Sequence, residues 1–189
     1  TQQKASTFSF GKARQQGLHY DYEVDVMTFA PYVQADWQYS QALRVSASVR
    51  FDNTHYDYKN RLADGTTQAD GSPCVNGNNE PVACLYQRPA DSKDDFDNLS
   101  SKIGFNYLMN ENVALFADWS QGFRAPQTTD LYRIQNQQVA GQIESEKITS
   151  QEVGVRGLAH DMNFELVAFY MTKDHFFFRD DDGLNVTDA

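Results

Sequence analysis

Residues 30–52 read "APYVQADWQYSQALRVSASVRFD", and their character alternates from one residue to the next. Ahead of the "SQA" step at 40–42, the odd positions carry Val33, Ala35, Trp37 and Tyr39. The even ones carry Tyr32, Gln34, Asp36 and Gln38. Beyond that step Leu43, Val45, Ala47, Val49 and Phe51 alternate with Arg44, Ser46, Ser48, Arg50 and Asp52. A period of two sends successive side chains to opposite faces of a strand, so the stretch reads as a hairpin with one apolar face. Phe29 and Pro31 carry the apolar parity backwards, opposite Thr28 and Ala30.

The same design recurs twice. Ile103, Phe105, Tyr107 and Met109 oppose Lys102, Gly104 and Asn106. After "NEN" (110–112), Val113, Leu115, Ala117 and Trp119 oppose Asp118, Ser120 and Gly122. Phe116 breaks that second strand by standing on its polar side. Further on, Val153 and Val155 oppose Glu152, Gly154 and Arg156. "LAHD" (158–161) then turns into Phe164, Leu166, Ala168 and Tyr170 against Asn163, Glu165 and Lys173. Val167 and Phe169 blur the polar parity of this last strand.

The connections alternate as strictly as the residues. Each pair closes through a few residues, whereas the pairs are separated by long stretches at 53–99 and 125–146 rich in Asp, Asn, Gln, Gly and Pro. Short turns at one end and long loops at the other are the geometry of a transmembrane β-barrel. No apolar run reaches the ~20 residues a membrane helix needs; the best is "LVAFYM" at 166–171. Trp37, Tyr39, Tyr107 and Met109 sit on the apolar parity beside the short turns, where an interfacial girdle is expected. A soluble sandwich core packed with aromatics is the competing reading. On the barrel reading the polar parity faces the lumen, which places Asp36, Arg50, Asp118, Arg124, Glu152 and Arg156 there.

Composition narrows the function further. Of 189 residues, Lys+Arg number 16 and Asp+Glu 26, giving a formal net charge of −10. Such a surface repels duplex phosphates, so no nucleic-acid partner is expected. The opening "TQQKAST" has no basic n-region or apolar h-region and does not read as a signal peptide. Cys74 and Cys84 flank a Gly/Asn/Pro-rich segment that can turn back on itself. A loop-closing disulfide is the expectation, implying an oxidising compartment, with two buried free thiols as the alternative. No further Cys or His stands at ligand spacing, so no metal site is expected. The acidic runs "DSKDDFD" (91–97) and "RDDDG" (179–183) do not match a calcium loop. His19, His55, His160 and His175 are scattered, and no nucleophile elbow, zinc-protease motif or phosphate loop is present. No enzyme activity and no cofactor are expected.

One further stretch carries a family signature. "FADWSQGFRAPQTTDLYRIQ" (116–135) followed by "IESEKITSQEVGVRG" (143–157) resembles the barrel of TonB-dependent outer-membrane receptors. In that family a strand closing in Ser-x-Gly-Phe-Arg-Ala-Pro precedes an acidic-Leu-Tyr segment, and a Ser-Glu-Lys element leads into Glu-Val-Gly-Val-Arg. Ser120, Gly122, Phe123, Arg124, Ala125, Pro126, Asp130, Leu131, Tyr132, Ser145, Glu146, Lys147, Glu152, Gly154 and Arg156 occupy those places. The resemblance implies an all-β antiparallel up-and-down meander of about six to seven long strands, part of a transmembrane barrel of about 22 strands. It implies that residues 1–189 are an internal piece of that barrel, without the plug domain and TonB box.

It further implies energy-coupled uptake of a scarce solute, a ferric siderophore or similar iron complex, at the Gram-negative outer membrane. The implied partners are TonB through the plug, and the lipid and lipopolysaccharide of the membrane. Tyr56, Tyr58, Arg61, Tyr86, Arg88 and Tyr132 in the long loops are the candidate ligand contacts, since Tyr and Arg suit amphipathic or anionic ligands. Arg124 is expected to aim at the plug or at lumenal carboxylates, or else to pair with an acid on the neighbouring strand. A passive porin-like or adhesin barrel and a soluble β-sandwich carbohydrate-binding module are the rival readings.

Overall fold

A computed structural model describes residues 2–6, 18–135, 143–179 and 185–187. Along the chain run β1 (Gln2–Ser6), β2 (Leu18–Phe29), β3 (Tyr32–Gln38), β4 (Leu43–Asn60), β5 (Cys74–Val75), β6 (Pro81–Val82) and β7 (Tyr86–Gln87). These are followed by β8 (Ser92–Asn110), β9 (Val113–Arg124), the single helical turn α1 (Thr128–Tyr132), β10 (Ile134–Gln135), β11 (Glu146–Ala159), β12 (Met162–Asp174), β13 (Phe177–Arg179) and β14 (Asn185–Thr187). One antiparallel sheet contains the long strands in the order β1-β2-β4-β8-β9-β11-β12, with β3 also on β4. β2 pairs with residues 53–60 of β4 and β3 with residues 44–50, so the two are one long strand interrupted at Ala30 and Pro31. Pro31 has no N–H for the ladder, but its carbonyl still accepts from the Phe51 N–H at 3.0 Å.

The hairpins fall where the alternation places them. Ser40 Oγ accepts from the Leu43 N–H at 3.1 Å, and Asn110 Oδ1 from the Asn112 N–H at 2.9 Å. At the third turn the strands run on to Ala159 and resume at Met162. Only His160 and Asp161 are left to turn, with φ of 48° and 62°. Two left-handed residues in a two-residue loop match the right-handed twist of the strands they join.

Cross-strand partners share a face, so the registers fix which residues look which way. Trp37, Val45, Phe105, Ala117, Val153 and Ala168 form one row. Asp36, Ser46, Gly104, Asp118, Glu152 and Phe169 form the adjacent row on the other face. The first face is open: Trp37 is 60% exposed, Val153 57% and Leu166 72%, and among the described residues no second sheet covers them. A sandwich would bury those side chains, so the sheet is a wall with a lipid-type outer face.

The upper edge of the apolar belt does not follow the rows. It stands at Phe51 and Leu99, which are partners, and then drops to Trp119 (beside Ile103) and to Val153 (beside Ala117). Its lower edge steps down in the same sense, from Leu43 to the Ala159–Met162 pair. The slip is roughly 1 to 1.3 residues per strand along the lower edge and about 2 along the upper. At a ~3.3 Å rise and ~4.8 Å spacing these correspond to strands tilted by roughly 35–55°, a range that includes the tilt of barrel closure.

The long strands extend well past the belt. β4 continues to Asn60 and β8 begins at Ser92, so the connection expected at 53–99 narrows to residues 61–91. The second connection occupies residues 125–145, close to expectation. Inside residues 61–91, Cys74 and Cys84 are joined by a disulfide across the β5–β6 hairpin.

Candidate functional site: inner wall and outer cap

Charged side chains line the inner wall from the short turns to the strand tops, most of them held by a neighbour. Nearest the short turns, Arg156 lies over the Phe116 ring, 5.4 Å from its centre. Phe116 is thus accounted for. A Cβ on its cross-strand partner Gly154 would stand only 2.5 Å from the ring tip, so the missing side chain makes room for the aromatic. One level up, Arg44 pairs with Asp36 at 3.2 Å and Lys102 with Asp118 at 3.5 Å. Gly104 leaves the gap into which Asp118 and Ser46 lean. Glu152 stands opposite Asp118 on one side and Phe169 on the other. Higher still, Arg50 is held by Asp52 at 2.7 Å.

The arginine of the GFRAP step answers its own question. Arg124 ends β9 directly opposite Glu146, the first residue of β11, and bridges it at 2.7 Å. Glu146 is almost fully enclosed and also receives Lys173 at 3.3 Å. One carboxylate thus closes the base of the 125–145 loop and orients two half-exposed cations. A concavity of about 490 Å³ opens beside them, lined by Ser48, Arg50, Ser100, Lys102, Ser120 and Arg124 among others. Asp36, Arg50, Asp118, Arg124, Glu152 and Arg156 thus share one face of the sheet, opposite the apolar one. Glu146 and Lys173 complete the set; both stood in the sequence, in the Ser-Glu-Lys element and on the polar parity of the last strand.

Above this level the inner face changes character. Tyr22, Val24, Tyr56 and Tyr58 continue the inward parity of Arg50 and Asp52, but they are buried. The segment leaving β9 folds inward over them. Tyr132 stacks on Tyr58 with ring centres 4.2 Å apart, and its hydroxyl donates to Asp94 at 2.7 Å. Tyr56 Oη donates to the Pro126 carbonyl and Tyr20 Oη to the Ile134 carbonyl, each at 2.8 Å. Arg133 Nε donates to Tyr22 Oη at 3.3 Å. β10 pairs with β7, tying this segment to the other long loop. Side chains such as Leu131 and Ile134 contribute on the order of 1.5–3 kcal/mol each by full burial, and the Tyr58–Tyr132 stack about 0.5–1.5 kcal/mol more.

Arg88 organises the 61–91 loop from within. It is 1% exposed and donates to the carbonyls of Ala63 (2.6 Å), Thr67 (2.6 Å), Gln68 (2.7 Å) and His19 (3.3 Å), and to Thr67 Oγ1. Burial lowers its pKa, with Tyr20, Tyr58 and Asp64 opposing. Burial also holds the Tyr58 and Tyr132 phenols far above their usual value, and for Tyr132 the bond to Asp94 adds to this.

The six loop residues singled out as ligand contacts therefore divide. Tyr56, Tyr58, Tyr132 and Arg88 are enclosed and hold the cap together. Tyr86 is half-buried, packed on His19 at 4.5 Å. Arg61 pairs with Glu23 at 2.5 Å on the outward parity. Tyr20 and Tyr22 were missed although the signal was present: Leu18, Tyr20, Tyr22, Val24 and Val26 alternate with His19, Asp21, Glu23 and Asp25.

An open, tilted antiparallel wall, greasy outside and ionic inside, with short turns below and an ordered cap above, defines a segment of a transmembrane β-barrel. The chain belongs to the TonB dependent receptor-like beta-barrel family, whose profile matches residues 3–189. Solved structures agree on the fold. The ferric-catecholate import receptor Fiu from E. coli K12, in its closed form, is similar over 90% of this chain and 25% of its own, with a TM-score of 0.61 and 18% identity. The copper transporter OprC matches 82% of this chain and 22% of its own, at 0.62 and 12%. The ferric yersiniabactin uptake receptor FyuA from Yersinia pestis matches 87% and 23%, at 0.55 and 14%. The chain thus spans about a quarter of the length of these receptors. No curated protein matches its sequence.

Proposed function

We propose that this wall is part of an outer-membrane receptor that imports a scarce solute, a ferric siderophore or a similar iron complex, with energy delivered through TonB. The observation that carries this reading is the inner wall itself: paired charges and serines line a concave face while the opposite face is apolar. Family membership supports the transport class, and two of the three similar structures are of a ferric-catecholate import receptor and a ferric yersiniabactin uptake receptor. The cap folded over the wall argues against a passive open pore, in which the lumen would be unobstructed at the mouth. On this reading residues 1–189 contribute barrel only, and the energy-coupling plug lies elsewhere in the receptor. Asp36, Arg50, Asp118, Arg124, Glu152 and Arg156 face that plug or the solute path. Tyr86 and the cations around Glu146 are the contacts offered to the solute, while Tyr56, Tyr58, Tyr132 and Arg88 shape the mouth. The host is a Gram-negative outer membrane, with lipopolysaccharide against the outer leaflet of the belt.

The test is uptake of radiolabelled ferric iron, presented as catecholate and as phenolate siderophore complexes, by cells carrying the intact receptor. Accumulation that requires both the receptor and TonB is expected. Uptake that persists without TonB, or no iron accumulation above a receptor-deleted strain, would overturn the reading.

A further inference from the structure

Residues 126–134 leave the wall at Arg124 and Pro126, cross the inward side of the strand tops, and meet β7 through β10. Their side is fixed by parity. Tyr56 and Tyr58 share a face with Arg50 and Asp52 on β4, and Tyr22 and Val24 with their β4 partners. The segment is gripped at both ends through its own backbone, by Tyr56 at the Pro126 carbonyl and by Tyr20 at the Ile134 carbonyl. In the middle it returns Tyr132 to Tyr58 and Asp94. Pro126, Leu131, Tyr132 and Ile134 are all buried.

We propose that residues 126–134 are a fixed inner rim of the barrel mouth, clasped by Tyr132, which stays docked and sets the clearance above the Arg124–Glu146–Lys173 cluster. Three observations favour a fixed rim over a lid. The clasp comes from three different strands, β2, β4 and β8. The rim is also joined by a β-bridge to a loop that Arg88 and a disulfide hold together. Undocking would expose four buried side chains at once, so the opened form is sparsely populated. The consequence for solute passage rests on the import reading above: the rim excludes bulky solutes on this side of the mouth.

Thiol labelling in the intact receptor, in the outer membrane, tests the rim without any solute. Leu131→Cys should react with a bulky maleimide roughly tenfold or more slowly than Gln127→Cys, which is exposed. Adding Tyr132→Ala should bring the Leu131→Cys rate to within about threefold of the exposed control. Fast labelling of Leu131→Cys in the parent, or slow labelling that survives Tyr132→Ala, would overturn the proposal. If Tyr132→Ala does not assemble, Tyr56→Phe with Tyr132→Phe keeps both rings and removes two clasp bonds, and should give an intermediate rate. Failure to import iron would refute the function proposed above while leaving the labelling result intact.

Discussion

Along β4 one strand contains two regions with opposite rules. From Leu43 to Phe51 the odd residues are apolar and share the open apolar face, while Arg44, Ser46, Ser48 and Arg50 stand on the opposite, charged face. From Asn53 onward the odd residues become Asn53, His55 and Asp57, paired with Asp97, Asp95 and Lys93 across the outer face. The even residues Thr54, Tyr56 and Tyr58 are now the buried ones. The backbone keeps its period of two throughout. What changes is the solvent: lipid against the outer face below, water above, with a small aromatic core taking the inner side. The alternation reports two solvents, and only the surroundings say which is which.

An arginine placed at each of the four kinds of position would break or sharpen this contrast. The largest effect is expected at Tyr58. Tyr58→Arg removes a fully buried ring, a loss on the order of 3–5 kcal/mol by large-to-small precedent, and adds an unpaired buried charge. Limited proteolysis of the outer loops should read it as an undocked cap on an intact barrel. Val45→Arg comes next, at about 2–4 kcal/mol near the bilayer midplane, measured by reversible unfolding in lipid vesicles. If Val45→Arg were no worse than Ser46→Arg, the outer face would not be against lipid.

Alkali should separate the two regions next. The phenols of Tyr58 and Tyr132 are raised by burial, so an undocked cap ionises near pH 10 while the docked cap keeps its protons. The docked state then binds more protons, and its stability is complete below pH ~10. It falls above that by up to about 1.4 kcal/mol per pH unit for each tyrosine. Tyrosinate absorbance, followed with labelling of Leu131→Cys, should show the cap opening while the belt persists. Ionisation of these tyrosines near pH 10 without any loosening would contradict the burial account. The smallest effects belong to Ser46→Arg, below ~1 kcal/mol beside Asp36 and Asp118, and to His55→Arg, within about 0.5 kcal/mol.

The contrast also explains how far the sequence could be read. The belt was legible because lipid demands unbroken apolarity on one parity, as Leu43 to Phe51 and Leu115 to Trp119 show. The tops of β4 and β8 were not, because residues 53–60 and 92–98 mix Tyr and Thr with Asn, Asp, His and Lys and read as loop. On β2, by contrast, the alternation of Leu18, Tyr20, Tyr22, Val24 and Val26 with His19, Asp21, Glu23 and Asp25 was there to be read. α1 is a single turn, too short to show a helical period. Arg124 and Glu146 were each noticed through the family motif, yet their pairing required the β9–β11 register. Arg88 and Tyr132 looked like loop residues available to a ligand. Nothing local announces that a guanidinium will be satisfied by carbonyls from Ala63, Thr67 and Gln68, since that depends on how the loop closes.

The slanted edge of the apolar belt has one more consequence. Each strand is cut to its own length of grease, offset from its neighbour, so the bilayer acts as a gauge during insertion. If β11 slid by two residues along β9 towards the turn, side-chain parity would survive and most ladder bonds could re-form. Lys147, Thr149 and Gln151 would nonetheless move a step towards the hydrocarbon, and a charged end would have to be dehydrated. Hydrogen bonding alone tolerates that slip. The membrane does not, and so it proofreads the register of the wall it surrounds.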